Sequence, residues 1–409
     1  FSPYSRFGLG ELNQNTLAHN QGMGGAFAAL KPDSIFPVMI NTGNPASYSL
    51  IKFATFEVGG FYTNSKLSSQ SVAVNKHNAN FSYAVLGFPI RKKSGATLGI
   101  MPYSSVGYNL KNVVAENNIG DVTYNYNGEG GFNKVFVGFG TMPFKESVIK
   151  LRKKEIAKAA NTDKPYSRKG YALKEFASEL LSDFSIGANA NYLFGSVKNY
   201  ADVRYPNSNL YYNTIRESTI RMHDFTGNFG IQTGFTIDSV KAKKSHDTLQ
   251  LNNNKRIALR EKVKIVFGYY MNLNNNLSAN YDLISYNYFL TNNAGIMPRD
   301  TVIKQIDAAG KIKLPLEQGF GIGIKKGEKL NIVMDYAITN WSGFKLLNYN
   351  DSLKNSTRMA IGFNYVPEKF ATGKGTFFRR SQYRMGAFYN TGYLNLNKTL
   401  ITTYGLTAG

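Results

Sequence analysis

Polar and apolar residues alternate with a period of two along most of this chain. Between residues 225 and 237, Phe225, Gly227, Phe229, Ile231, Thr233, Phe235 and Ile237 share one face, and Thr226, Asn228, Gly230, Gln232, Gly234 and Thr236 share the other. Successive side chains of a strand point to opposite faces, so such a segment has one apolar and one wet surface. Similar segments recur about a dozen times, separated by connections rich in Asn, Ser and Lys. The pattern predicts an all-β chain, a transmembrane antiparallel β-barrel with lipid outside and a polar lumen inside.

Twelve strands are expected, at 52–64, 78–90, 96–110, 121–141, 185–197, 223–238, 262–274, 315–325, 329–341, 356–366, 381–395 and 399–409. Pro102 cannot donate to a ladder and marks a bulge or kink, and the glycines at 128, 130 and 131 suggest a bulge. If the first strand runs outward, the connections at 65–77, 110–120, 198–222, 275–313, 342–355 and 396–398 are extracellular loops. Those at 91–95, 143–183, 239–261, 326–328 and 367–380 are then periplasmic. Two regions break the rhythm. Residues 1–50 are dense in Gly, Pro and Asn and form a separate unit before the barrel, 51–409. Within 143–183, Leu173, Phe176, Ala177, Leu180, Leu181 and Phe184 repeat at helical spacing after a strongly basic stretch. This helical insertion has an apolar face too small for a core of its own. It is expected to dock through Leu173, Phe176, Leu180 and Phe184, either on the barrel's underside or on a partner. A single-chain barrel closes with an even strand number and commonly ends on an aromatic-bearing strand. This chain stops at Ala408-Gly409, so C-terminal strands are expected to be missing from it.

Composition narrows the reading. Of 409 residues 43% are hydrophobic, mean hydropathy is −0.29, and no apolar run approaches the ~20 residues of a membrane helix. The net charge of +22 favours anionic lipid head groups, lipopolysaccharide or an acidic partner. The lysines lie between strands and not along aromatic grooves, which argues against nucleic acid. There is no cysteine, and His19, His77, His223 and His246 lack ligand spacing, so neither a metal nor a cofactor is expected. No catalytic set is spaced as a motif, so an enzyme is not expected. The start at Phe1 without a leader reads as a mature exported protein of the bacterial outer membrane. Glu57, Asp335, Arg358 and Arg384 all fall on lumen faces. Their expected role is an internal polar network, since Arg or Lys facing mid-membrane lipid would cost about 2–4 kcal/mol. Trp341, at the outer end of its strand, reads as an interfacial anchor.

Several stretches resemble a known family. They are GMGGAF at 22–27, Asn44-Pro45-Ala46, Leu314-Pro315, Gly319-Phe320-Gly321, MDYAITNWSGF at 334–344, NSTRMAIGFNYVP at 355–367 and YRMGAFYN at 383–390. In this order they resemble the FadL/OmpP1/TodX outer-membrane channels. The opening SPYSRFGLG and YLFG at 192–195 look like the Bacteroidota branch. The resemblance covers nearly the whole chain and implies a barrel of fourteen strands, of which about twelve are present. It also implies a hatch in the lumen built around Gly22, Gly24, Gly25, Asn44, Pro45 and Ala46, and passive uptake of a hydrophobic, fatty-acid-like molecule. The helical insertion and the charge depart from the family. They motivate the alternative, a non-transporting barrel subunit of a larger envelope complex, of the secretion or barrel-assembly kind, that docks other proteins through 143–183.

Overall fold

A computed structural model describes the chain except residues 1, 15, 34–37, 69–72, 145–167, 208–209, 239–247, 252–254, 259–261, 274, 291–294, 328, 348–352 and 374–375. Fourteen strands carry the fold. They are β1 (Thr55–Ser68), β2 (Ala73–Arg91), β3 (Ser94–Glu116), β4 (Gly120–Thr141), β5 (Ser185–Arg204), β6 (Asn213–Asp238), β7 (Lys262–Asn272), β8 (Asn276–Leu290), β9 (Ile296–Lys313), β10 (Glu317–Lys326), β11 (Leu330–Thr339), β12 (Ser356–Tyr365), β13 (Tyr383–Asn390) and β14 (Thr403–Ala408). Twelve of them form one antiparallel path, β1-β2-β3-β4-β5-β6-β7-β10-β11-β12-β13-β14. This matches the twelve segments read from the alternation. No helix among the described residues is long and apolar enough to cross a membrane.

The two-residue rhythm is visible as burial. In β6, Asn228, Gly230, Gln232 and Gly234 are buried while Phe225 and Ile237 are exposed. In β10 the glycines at 319, 321 and 323 are buried and Phe320, Ile322 and Ile324 face out. The outward row continues with Met334, Tyr336 and Ile338 of β11 and Met359 and Phe363 of β12. This contiguous apolar band is the outer surface of a membrane barrel. The inner surface wraps one segment. Strands at both ends of the path meet residues 16–25: Tyr83 Oη of β2 accepts from Ala18 N (3.2 Å), and Thr407 Oγ1 of β14 accepts from Gly24 N (2.8 Å). A flat sheet of twelve strands could not bring its two ends to the same short stretch of chain.

Three features differ from the sequence expectation. The stretches 198–222 and 275–313 are not loops. β5 and β6 run on to Arg204 and back from Asn213, and β8 and β9 form a hairpin paired with the upper half of β6, from Met222 to Asn213. Above the membrane neither face of a strand needs to be apolar, so the alternation fades while Tyr286, Tyr288, Val302 and Ile303 still favour strand. Trp341 is not an interfacial anchor. It is buried at the upper end of the lumen, stacked on Tyr393 at 4.2 Å and tilted against Phe344 at 5.5 Å. At Pro102 the expected bulge is present as a register shift against β4, and on the other side of β3 the break goes further. β2 and β3 stop pairing at Ala84–Ile100, and beyond it the freed edge of β3 takes residues 11–12, with Glu11 opposite Ser105 and Leu12 opposite Ser104.

The helical insertion contributes α1 (Arg168–Asp183) at the end of the barrel that carries the turns at 91–94 and 326–330, called here the lower end. α1 lies on β6. The Phe176 ring meets Phe235 edge-on at 4.7 Å, Thr233 Oγ1 donates to the Leu180 carbonyl (2.6 Å), and Thr236 N donates to Glu179 Oε1 (3.0 Å). Phe184, just beyond the helix, packs on Phe144 at 5.7 Å. The Leu173 side chain and the basic stretch 145–167 lie outside the described residues.

Candidate functional site in the barrel lumen

The lumen is occupied by the chain's own N-terminal residues, and the wall is shaped for them. Gly95, Gly140, Gly187 and Gly230 are directly paired across β3, β4, β5 and β6, forming a row with no side chains. The turn of 3-10 helix at Pro45–Leu50 lies in that groove. A Cβ on Gly140 would strike the Pro45 carbonyl and come within 2.9 Å of Tyr48 Cβ, and one on Gly187 would come within 2.7 Å of Ala46 N. Further round, Gly268 and Gly321 admit Ala28 and Ala29, and Gly362 and Gly386 admit Met23 and Gly24. Glycine in these strands allows the close approach of a second backbone.

Polar side chains on the same inner face hold the segment by its backbone. Asp335 Oδ2 accepts from Phe27 N (2.6 Å) and Ala28 N (2.8 Å). Arg358 donates to the Gly24 carbonyl (2.6 Å) and the Gly25 carbonyl (3.3 Å). Gly24 and Gly25 have φ of +69° and +70°, a left-handed pair that only glycine adopts readily. Gln232 donates to the Ala28 and Leu30 carbonyls (2.8 and 2.9 Å). Within the segment, Asn44 caps the 3-10 turn by accepting from Ala46 N (3.2 Å), with Pro45 at its first position, and its amide donates to the Ala28 carbonyl (2.7 Å). Gly22 ends the helical turn Ala18–Gln21 and lies against Arg384.

The residues singled out in the sequence therefore meet at one interface, in a particular way. Asp335 and Arg358 each bond the segment's backbone. Glu57 faces His19, with Oε2 3.9 Å from Nδ1, and Arg384 packs beside Gly22. Gln232, His19 and a charged cluster at the lower end were not anticipated. Their polar residue types were visible, but what they face depends on how the barrel curls. In that cluster Lys31 is 2% exposed at its side chain, and its Nζ donates to the Asp183 carbonyl (2.8 Å) and carboxylate (3.1 Å). Lys264 donates to the other Asp183 oxygen (2.7 Å), and Lys325 pairs with Asp33 and donates to the Lys31 carbonyl (3.2 Å). Burial pulls the Lys31 ammonium down to about 8 despite Asp183, whereas Lys31 and Lys264 outweigh burial at Asp183 and hold its carboxyl below its usual range. Burial, reinforced by Arg384, pulls the His19 imidazole down to about 3.

Above this layer the lumen is apolar and filled. Leu9, Val106, Phe132, Leu193, Met222 and Trp341 are among the members of one buried cluster, leaving a space of about 130 Å³ beside residues 5–9. A larger cavity, about 420 Å³, lies between the segment and the wall near the Pro102 kink, lined by Gln14, Phe61, Tyr83, Met101, Pro102 and Phe388, among others. Its lining mixes amide, hydroxyl and aromatic groups, so it suits an amphipathic guest better than a pure hydrocarbon.

Among solved structures the chain is similar to FadL-type channels, the proteins its motifs resemble. A Pseudomonas aeruginosa FadL homologue shares 12% identity and a TM-score of 0.43, with 93% of this chain and 81% of that one covered. The P. putida toluene transporter TodX shares 11% identity and a TM-score of 0.46, covering 93% and 84%. The CymD monoaromatic hydrocarbon channel shares 13% identity and a TM-score of 0.40, covering 98% and 89%. No curated protein matches at a significant level. The BamG family model matches residues 1–152 and 137–409, which together span the described lumen segment, the wall and the insertion. The chain belongs to the BamG family.

Proposed function

We propose that this outer-membrane barrel is a plugged, non-transporting subunit of a larger outer-membrane complex, of the secretion or barrel-assembly kind. The observation that carries this reading is the seating of the described residues of 9–33 and 38–51. The wall gives up side chains on strand after strand to admit them, and buried Asp335 and Gln232, with half-buried Arg358, bond their backbone. A gate meant to move would leave those groups unpaired in the lumen. Each lost hydrogen bond to a buried charged partner costs roughly 1.5–3 kcal/mol. The apolar volume above is already filled by Leu9, Phe132 and Trp341. As a plug, the segment makes the barrel a rigid scaffold. The test is isolation of the chain from its native membrane in mild detergent. Elution with other envelope proteins at fixed stoichiometry is expected, and a lone monomer would sink the reading.

The second reading, passive uptake of a hydrophobic molecule, is favoured by the 420 Å³ cavity beside the Pro102 gap in the wall. It requires the barrel, reconstituted in liposomes, to accelerate entry of a labelled fatty acid saturably. Entry no faster than into empty liposomes is the outcome expected for a plugged subunit.

A further inference from the structure

Among the described residues, β9 leaves a long strand edge uncovered. Its partner on one side is β8, along most of its length. On the other side, among the described residues, it is covered only where Lys345–Leu346 pair with Lys313 and Ile312, followed by Leu347 N donating to the Lys311 carbonyl (3.0 Å). From 296 to 309 the backbone groups on that edge have no strand partner among the described residues. Residues 296–307 are exposed without a break. Met297, Val302 and Ile306 are 61%, 60% and 59% exposed, values at odds with a strand that ends in water. A free edge that exposes apolar side chains is a template for another strand, and proteins that do not use one cover or blunt it.

Resting on the reading of this chain as a subunit, we propose that the β9 edge receives an extended strand of a partner protein outside the barrel. That strand is apolar at alternate positions, to meet Val302 and Ile306, and acidic where it meets Lys304. The charges set the acidic preference. Asp282 and Asp307 are engaged by Arg221, and Asp300 lies 3.3 Å from Arg299, while Lys304 between the two apolar residues has no ion pair among the described residues. A lysine on an edge repels indiscriminate apolar pairing and so selects an acidic strand. The pairing of Lys345–Leu346 at 312–313 shows that the same edge already accepts a strand in this geometry and points along the adjoining residues.

Hydrogen exchange of the native assembly against the isolated chain tests this. Amides of 299–309 that face the open edge should exchange at least roughly tenfold more slowly in the assembly, as strand pairing protects them. Lys304→Glu and the double change Val302→Lys with Ile306→Lys should abolish that protection and release one partner, with the barrel's folded migration retained because all three positions are exposed. Cross-links from Lys304 and Lys311 should reach acidic segments of that partner. Equal exchange at 299–309 in a verified assembly overturns the docking edge alone. Cross-links confined to a second copy of this chain overturn the heterologous partner, and absence of any assembly removes the subunit reading as well.

Discussion

At the scale of single residues, what distinguishes this barrel is where side chains are missing. The directly paired row of Gly95, Gly140, Gly187 and Gly230 has no analogue in an open pore, where interior positions carry side chains facing water. Two residues give direct readouts. Trp341 is the single tryptophan, buried in the lumen against Tyr393. Its emission is expected to be blue-shifted and insensitive to brominated lipids; quenching by them would return it to the membrane interface. His19 is held near 3 in the folded chain against an ordinary 6.5, so the unfolded chain binds the extra proton between those values. Its contribution is therefore complete above about pH 6.5 and is lost as pH falls toward 3, amounting to about 2 kcal/mol near pH 5. Thermal unfolding should show a loss of stability on acidification from pH 7.5 to 5 that is flattened in His19→Gln. Gly22, Gly24, Gly25 and Asn44 were legible because turn chemistry is local, whereas the glycine row was invisible because it exists only across strands.

At the scale of elements, α1 shows what helical periodicity can and cannot say. The spacing of Phe176, Leu180 and Phe184 told that one face would be covered. The cover turns out, for the described side chains, to be β6 through Phe235 and Thr233, and the segment through Lys31. α1 thus ties the lower end of the lumen segment to the wall through Asp183. Removing one partner of a buried ion pair leaves a charge uncompensated and typically costs about 3–5 kcal/mol. Asp183→Asn should therefore loosen both α1 and residues 28–33. Limited proteolysis is expected to cut there faster in the variant, and an unchanged digestion pattern would show the cluster to be dispensable. The β8–β9 hairpin was misread as loop for the opposite reason: outside lipid, the rule that one face must be greasy no longer operates.

At the scale of the whole molecule, the lumen segment, the wall and α1 are joined through shared contacts. In planar bilayers the intact chain is expected to give no conductance. Gly187→Leu, which places a side chain where Pro45 and Ala46 sit, should produce open-channel steps. A silent Gly187→Leu barrel that still folds would show that other parts of the lumen close it, such as the upper apolar cluster around Leu9 and Phe132.

The sequence alone determined the barrel, its twelve main strands and the inward side of those whose alternation is clean, as in β6. Lipid imposes a rule that every spanning residue must obey, and alternation records that rule locally. Tertiary structure alone decided that the lumen is filled, because what an inward residue meets depends on the curl of the sheet. Asp335 and Arg358 were legible as inward charges, but only the rolled sheet sets them against the backbone of Phe27, Ala28 and Gly24.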